Sequence, residues 1–192
     1  GEKEFVGRGV SYCAVCDGAF YKDKIVAVVG GGNSAIEEAM YLTKFAKKVY
    51  VIHRRDKLRA DKIIQERAFK NPKIEFIWNS IVLEIQGESI VKSIVLKNLQ
   101  TDKMSELKID GIFPYIGISP NTELFSGQLN QDKYGFIITD TTMATSVDGV
   151  YAIGDVRNTP LRQVVTAASD GAIGATYALK YIEQLKEIKV KL

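Results

Sequence analysis

The chain has 192 residues, 46% hydrophobic and 26% charged, an ordinary globular composition with length for a sizeable core in one large or two small domains. Its net charge of +3 is small and interspersed, without the like-charge run of a nucleic-acid arm or membrane anchor. No stretch reaches the roughly 18–20 uninterrupted apolar residues of a membrane-spanning helix, and GEKEFVGRGV lacks an apolar signal-peptide core, so a soluble, cytoplasmic chain with no nucleic-acid or membrane partner is expected.

Taken from the start, the first chemistry is Cys13-Ala14-Val15-Cys16, which holds the only two cysteines. A secreted scaffold usually carries more cysteines at wider spacings. Cys-x-x-Cys brings two sulfurs near enough for a reversible disulfide, and a helix N-terminus beside the first of them stabilises its thiolate at neutral pH. Asp17 follows directly and could supply or remove the proton of thiolate exchange if burial raises its pKa. Two unreacted cysteines are one alternative. Zinc is another, but a closed site needs four ligands and the chain offers two Cys and the single, distant His53, so no metal site is expected.

KIVAVVG, residues 24–30, reads as a buried parallel strand entering a tight turn. Ala35, Ala39, Leu42 and Ala46 recur at helical spacing, predicting a helix over 34–47, and KVYVIH is a second strand. Strand, glycine turn, helix and strand make a βαβ unit with a parallel sheet. Within it, Gly30-Gly31-Gly32-Asn33-Ser34-Ala35 fits G-x-G-x-x-G/A. Gly30 turns the chain, Gly32 lets the backbone approach a pyrophosphate, Ala35 permits close helix packing, and the helix start offers unpaired N–H donors to phosphate.

An NAD site usually places Asp or Glu at the end of the second strand, on the ribose hydroxyls. Here stand His53, Arg54 and Arg55. Guanidinium groups bind a 2′-phosphate that a carboxylate would repel, so Arg54, Arg55 and Arg59 point to NADPH, with His53 packing against the adenine. The competing reading is a solvated basic helix start in which Asp56 and Asp61 pair the arginines.

A helix over 61–70, a strand over 74–78 and antiparallel hairpins over 81–107, broken at Gly87 and Thr101-Asp102, continue the chain, the hairpins forming a small sheet over the parallel layer. Beyond Pro120 the pattern changes to short strands, FIIT and GVYAIG, and one amphipathic helix over about 164–186, which sets a boundary near Asn121. No repeat or low-complexity tract occurs.

GRGVSYCAVCDGAF, VVGGGNSAIEEAMYL, VIHRRDKLRA, GISPNT and ATSVDGVYAIGDVRNTPLRQVVTAASDGAIGA together resemble the low-molecular-weight thioredoxin reductase family over essentially the whole chain. The resemblance implies an α/β fold: a Rossmann-like NADPH domain, a parallel sheet with an antiparallel meander, over 1–120, and the C-terminal part of a discontinuous FAD domain over 121–192. It implies that Cys13 and Cys16 are the redox pair, Cys16 nearer the flavin and Cys13 exchanging with thioredoxin, and that Asp17 is the proton donor. Gly154 and Asp155 would meet the flavin's ribityl and phosphate region. Arg162, Gln163, Val164 and Ala167 would line the flavin ring and the helix beside it, and Ile116 and Gly117 are counted with the cofactor-binding set. Only one glycine fingerprint occurs, whereas hydride transfer from nicotinamide to flavin needs two dinucleotide sites. The chain is therefore expected to be a fragment of an enzyme that passes electrons from NADPH through FAD and the cysteines to thioredoxin or a thioredoxin-like protein. The intact enzyme would be a homodimer whose two domains rotate about hinges near 1–9 and 116–120. A bare NADPH-binding module with a regulatory dithiol is the rival expectation.

Overall fold

Val26, Ala27 and Val28 are completely buried at the centre of β1 (Ile25–Val29), because both faces of this strand are covered. The computed structural model describes residues 1–190. In it β2 (Lys48–Ile52) pairs with one side of β1 and β7 (Gly111–Pro114) with the other, while β3 (Ile74–Ile77) lies outside β2. The order is β3-β2-β1-β7, all parallel, with Val26 opposite Val49 and Gly111. Gly111 is required there, since a Cβ would come within 2.1 Å of the Tyr21 ring, which stands edge-on to Phe113.

Strand alternation divides the core in two. Val26 and Val28 face α2 (Asn33–Leu42) and α3 (Lys62–Phe69), in one cluster with Ile36, Ala39, Leu42, Val49, Val51 and Phe113. Ala27, Ile52 and Ile112 face the other way, onto Ile85, Ile94 and Leu96 of a second, antiparallel sheet. That sheet is β4 (Ser80–Gly87), β5 (Val91–Asn98) and β6 (Met104–Lys108), in this order. Each of these larger side chains contributes about 1.5–3 kcal/mol by leaving water. The α/β architecture and the small sheet over the parallel layer are as the sequence predicts.

Two expectations need correction. α2 stops at Leu42 rather than 47, because the chain turns at Thr43 so that Lys47 N–H can reach Lys24 O ahead of β2. The Lys73 ammonium then satisfies the carbonyls of Thr43 and Ala46 at 2.8 and 3.0 Å, as a cation should at a helix C-terminus. FIIT and GVYAIG are not strands. Ile137, Ala144 and Tyr151 form only isolated bridges, because Asp132 and Asp140 cap tight turns that bend the chain on either side.

By its contacts the chain divides into two compact units, Gly1–Gly117 and a second beginning at Ile118. The second contains short 3₁₀ turns at Glu123–Phe125 and Gly154–Val156, and the long helix Val164–Val190. Among the described residues no helix is long and apolar enough to cross a membrane.

Candidate functional site: a glycine loop, three arginines and a disulfide

The first unit carries a cleft of about 620 Å³ where the carboxyl ends of β1, β2 and β7 open, the usual ligand position in an α/β sheet. Gly30, Gly31, His53, Arg54, Arg59, Tyr115 and Ile116 contribute to its wall. Two of the three loop glycines, Gly30 and Gly31, are sterically required. Gly30 has φ +150°, and a Cβ would come within 2.4 Å of the Tyr115 carbonyl and 2.7 Å of Ala35. At Gly31 a Cβ would come within 2.4 Å of the His53 ring. Around Gly32 there is open space, nothing lying within 4 Å of its Cβ position, and no side chain caps the helix that starts beside it. Backbone donors with that clearance suit an approaching phosphate. Ser34 stands exposed in the first turn of α2, and Ala35 is buried against the loop.

Arg54, Arg55 and Arg59 are exposed, and among the described residues none has a carboxylate within ion-pairing distance. The competing pairing with Asp56 and Asp61 is not formed among the described residues. Asp61 accepts from Asn33 Nδ2 at 2.8 Å and its own N–H donates to Asn33 Oδ1 at 2.8 Å, tying the start of α3 to the start of α2. Arg59 and Ala60 donate their N–H groups to Gly31 O, so the basic segment is fastened to the glycine loop. His53 is buried beneath that loop, its Nε2 3.1 Å from Lys57 O and its ring edge-on to Trp78. Burial pushes its pKa below the usual value, partly offset by the Lys57 carbonyl, and Arg59, Arg55 and Arg54 lower it further. The buried imidazole packs under Gly31, and His53 also forms part of the cleft wall.

Cys13 and Cys16 form a disulfide, with Cα atoms 5.2 Å apart. Cys13 precedes α1 (Ala14–Asp17), a single turn that runs into a 3₁₀ turn at Gly18–Tyr21, so the expected helix N-terminus is present but short. Cys16 N–H donates to Cys13 Sγ at 3.1 Å, a contact that would stabilise a thiolate there. Cys16 is exposed and Cys13 half-buried. Asp17 is half-buried and accepts from Ser11 Oγ at 2.6 Å, while the same hydroxyl accepts Cys13 N–H at 3.2 Å. Among the described residues no three His, Cys, Asp or Glu side chains are grouped as metal ligands.

In the second unit Gly154 has φ +70°, and its Cβ position lies 3.3 Å from Ala167. Gly154 N–H donates to the buried Asp170 carboxylate at 3.1 Å, and the same oxygen accepts from Arg157 at 3.1 Å. Arg157 Nε also donates to Thr139 at 2.7 Å. Asp155 is exposed. Arg162 lies 4.0 Å from the centre of the Phe136 ring with its Nε buried and without a hydrogen-bond partner. Gln163 is half-buried, and Thr166 Oγ1 accepts its N–H at 3.1 Å; Val164 is exposed at the helix start. At the end of the first unit, Gly117 has φ +119° with open space around it, and Ile116 is exposed. Sequence reasoning missed Ser11, Tyr115, Arg157 and Asp170. Only Asp170 left a trace, an acid among small residues in AASDGA; Tyr115 and Arg157 act through contacts between separated segments, and Ser11 through a local turn that has no motif of its own.

Curated relatives are similar throughout. A thioredoxin reductase of Peptoclostridium acidaminophilum is 56% identical over 95% of this chain and 60% of its own length. A thioredoxin reductase of Bacillus subtilis (strain 168) is 52% identical over 97% of this chain and 60% of its own length. The crystal structure of thioredoxin reductase from Streptococcus pyogenes MGAS5005 superposes with a TM-score of 0.88 at 53% identity, covering 92% of this chain and 58% of that one. The thioredoxin reductase from Giardia duodenalis gives 0.85 at 43%, covering 95% and 60%. The chain thus spans about 60% of the length of the relatives it matches. Residues 1–171 match the pyridine nucleotide-disulphide oxidoreductase model, and with a glycine loop and a disulfide folded into one unit, the chain belongs to that family.

Proposed function

We propose that this chain is the NADPH-binding and disulfide-carrying part of a flavoprotein disulfide reductase acting on thioredoxin or a thioredoxin-like protein. The observation that carries the reading is the Cys13–Cys16 disulfide in the same compact unit as a glycine loop flanked by three unpaired arginines. Gly32 and the start of α2 hold the pyrophosphate, and Arg54, Arg55 and Arg59 bind the 2′-phosphate that distinguishes NADPH from NADH. Gly154, Asp155, Arg162, Gln163, Val164 and Ala167, with 121–192 as the C-terminal portion of a discontinuous domain, contribute to an FAD site; the orphaned Arg162 Nε supports this reading. FAD, when bound, supplies the two-electron relay between nicotinamide and sulfur.

The remaining steps belong to this chain. Reduction of the disulfide takes two electrons, the S–S bond breaks, and Asp17, anchored by Ser11, gives or takes the accompanying proton. The Cys13 thiolate, accepting from Cys16 N–H, attacks a partner disulfide; Cys16 then displaces the partner's thiolate, closing the intramolecular bond again. The net reaction is NADPH, a proton and a protein disulfide giving NADP⁺ and a dithiol. Homodimeric assembly of the intact enzyme belongs to the same reading.

NADPH oxidation in the presence of oxidised thioredoxin, with and without added FAD, tests it. Flavin-dependent turnover lost in Cys13→Ser and Cys16→Ser variants is the expected result. Turnover that survives both substitutions would reject a disulfide reductase. NADPH binding with a dithiol that cycles but transfers no electrons would favour the regulatory module.

A further inference from the structure

The disulfide turn is tied to a residue 101 positions away. Tyr115 Oη accepts the N–H of Ala14 at 2.8 Å. Ala14 is completely buried and opens α1 directly after Cys13. Its N–H is a helix-start donor with no partner inside the helix, so only an outside acceptor can satisfy it. Around it Cys13 N–H is taken by Ser11, Cys16 N–H by Cys13 Sγ and Asp17 N–H by Cys13 O.

Tyr115 is itself held firmly. Its N–H donates to Val29 O at 2.7 Å, and its carbonyl presses on Gly30, where no Cβ would fit. Burial, with the Glu38 and Asp17 carboxylates adding to it against the Ala14 bond, pushes the phenol pKa up to about 12. The group therefore remains a protonated phenol, still able to accept, over the range in which thiols ionise.

We propose that Tyr115 is a positioning residue for the cysteine pair: its hydroxyl, fixed at the end of β7, holds Ala14 N–H and so keeps Cys13 and Cys16 in one turn when the S–S bond is open. The inference rests on the redox reading of that pair. With the disulfide formed, the covalent link orders the turn by itself. Once it is reduced, the Tyr115 bond and the Cys16 N–H contact to Cys13 carry that task. Without the hydroxyl, Ala14 N–H must turn toward water, the turn loosens, and Cys13 loses the donor that stabilises its thiolate.

The test uses the full chain, reduced with dithiothreitol and freed of it, and reads iodoacetamide alkylation against pH beside amide hydrogen exchange at Ala14. In Tyr115→Phe the alkylation profile moves to higher pH, with a rate near pH 7 lower by about threefold or more, the size expected of one lost hydrogen bond. Ala14 also exchanges faster than in the wild type. Superimposable profiles and equal Ala14 protection would overturn the proposal. Should Tyr115→Phe not fold, the reduced wild type decides: an Ala14 amide that stays protected supports it, and one exchanging at the unprotected rate overturns it. Reversible cycling of the wild-type pair in glutathione buffers is scored separately. A pair that does not cycle defeats the redox reading, whereas a pair that cycles with an unmoved Tyr115→Phe profile defeats only this inference.

Discussion

Arg54, Arg55 and Arg59 lie exposed beside a glycine loop; of the two acids that could have neutralised them, Asp61 is engaged by Asn33, and among the described residues Asp56 forms no ion pair. No ion pair among the described residues offsets their positive field. Charge-assisted hydrogen bonds are worth about 1.5–3 kcal/mol each, so Arg54→Ala, which removes one such partner, should weaken NADPH binding by about 10- to 150-fold. NADH binding should change little, which calorimetric titration of the two nucleotides checks. The glycines separate fold from binding. Gly32→Ala meets no neighbour and should leave the melting temperature within a degree or two while reducing NADPH affinity, as only a bound phosphate would feel its Cβ. Gly31→Ala drives a Cβ into the buried His53 ring and should lower the melting temperature itself. His53 adds a pH signature. Its folded pKa is depressed, so the unfolded chain binds the proton more readily, and the stability held by the neutral imidazole is full above about 6.5 and is lost as pH falls toward the lowered folded value. Melting temperatures from pH 7.5 to 5.5 should therefore fall more steeply in the wild type than in His53→Asn.

At the level of elements, the decisive contacts join segments that pattern reading treats separately. Asp170 on the long C-terminal helix receives both Gly154 N–H and Arg157, each at 3.1 Å, so one carboxylate holds the turn and the helix together. Asp170 is buried and Arg157 largely so, and removing one partner strands the other. Asp170→Asn or Arg157→Met should cost about 3–5 kcal/mol in the second unit, read by denaturant unfolding followed through amide exchange in 150–175. The end of α2 illustrates the same point more gently. Periodicity carries the helix to residue 47, since Ala46 falls on the apolar face, but Thr43 ends it and Lys73 satisfies the freed carbonyls from a loop 30 residues downstream. FIIT and GVYAIG read as strands for a related reason: local β-propensity was present, but Asx turns at Asp132 and Asp140 restrict pairing to single bridges.

For the molecule as a whole, both apolar clusters of the parallel sheet lie between Phe5 and Phe113, inside the first unit. A chain ending at Gly117 should therefore unfold cooperatively and bind 2′,5′-ADP by itself; loss of either would show that its core depends on residues beyond. The βαβ unit, the glycine fingerprint, the arginines and the cysteine pair were legible from the amino-acid order because each is a local pattern: spacing along one helix or strand, or a few adjacent side chains with a fixed chemistry. The partners of those groups were not. Whether Asp61 pairs an arginine or Asn33, whether His53 meets a ligand or supports Gly31, and which residue receives Ala14 N–H depend on contacts between segments about 20 to 100 residues apart, which only the packed chain decides. Amino-acid order by itself determined which chemical groups this protein carries; tertiary structure decided which of them are satisfied from within and which are left for a ligand, because a buried or charged group binds whatever partner folding brings to it.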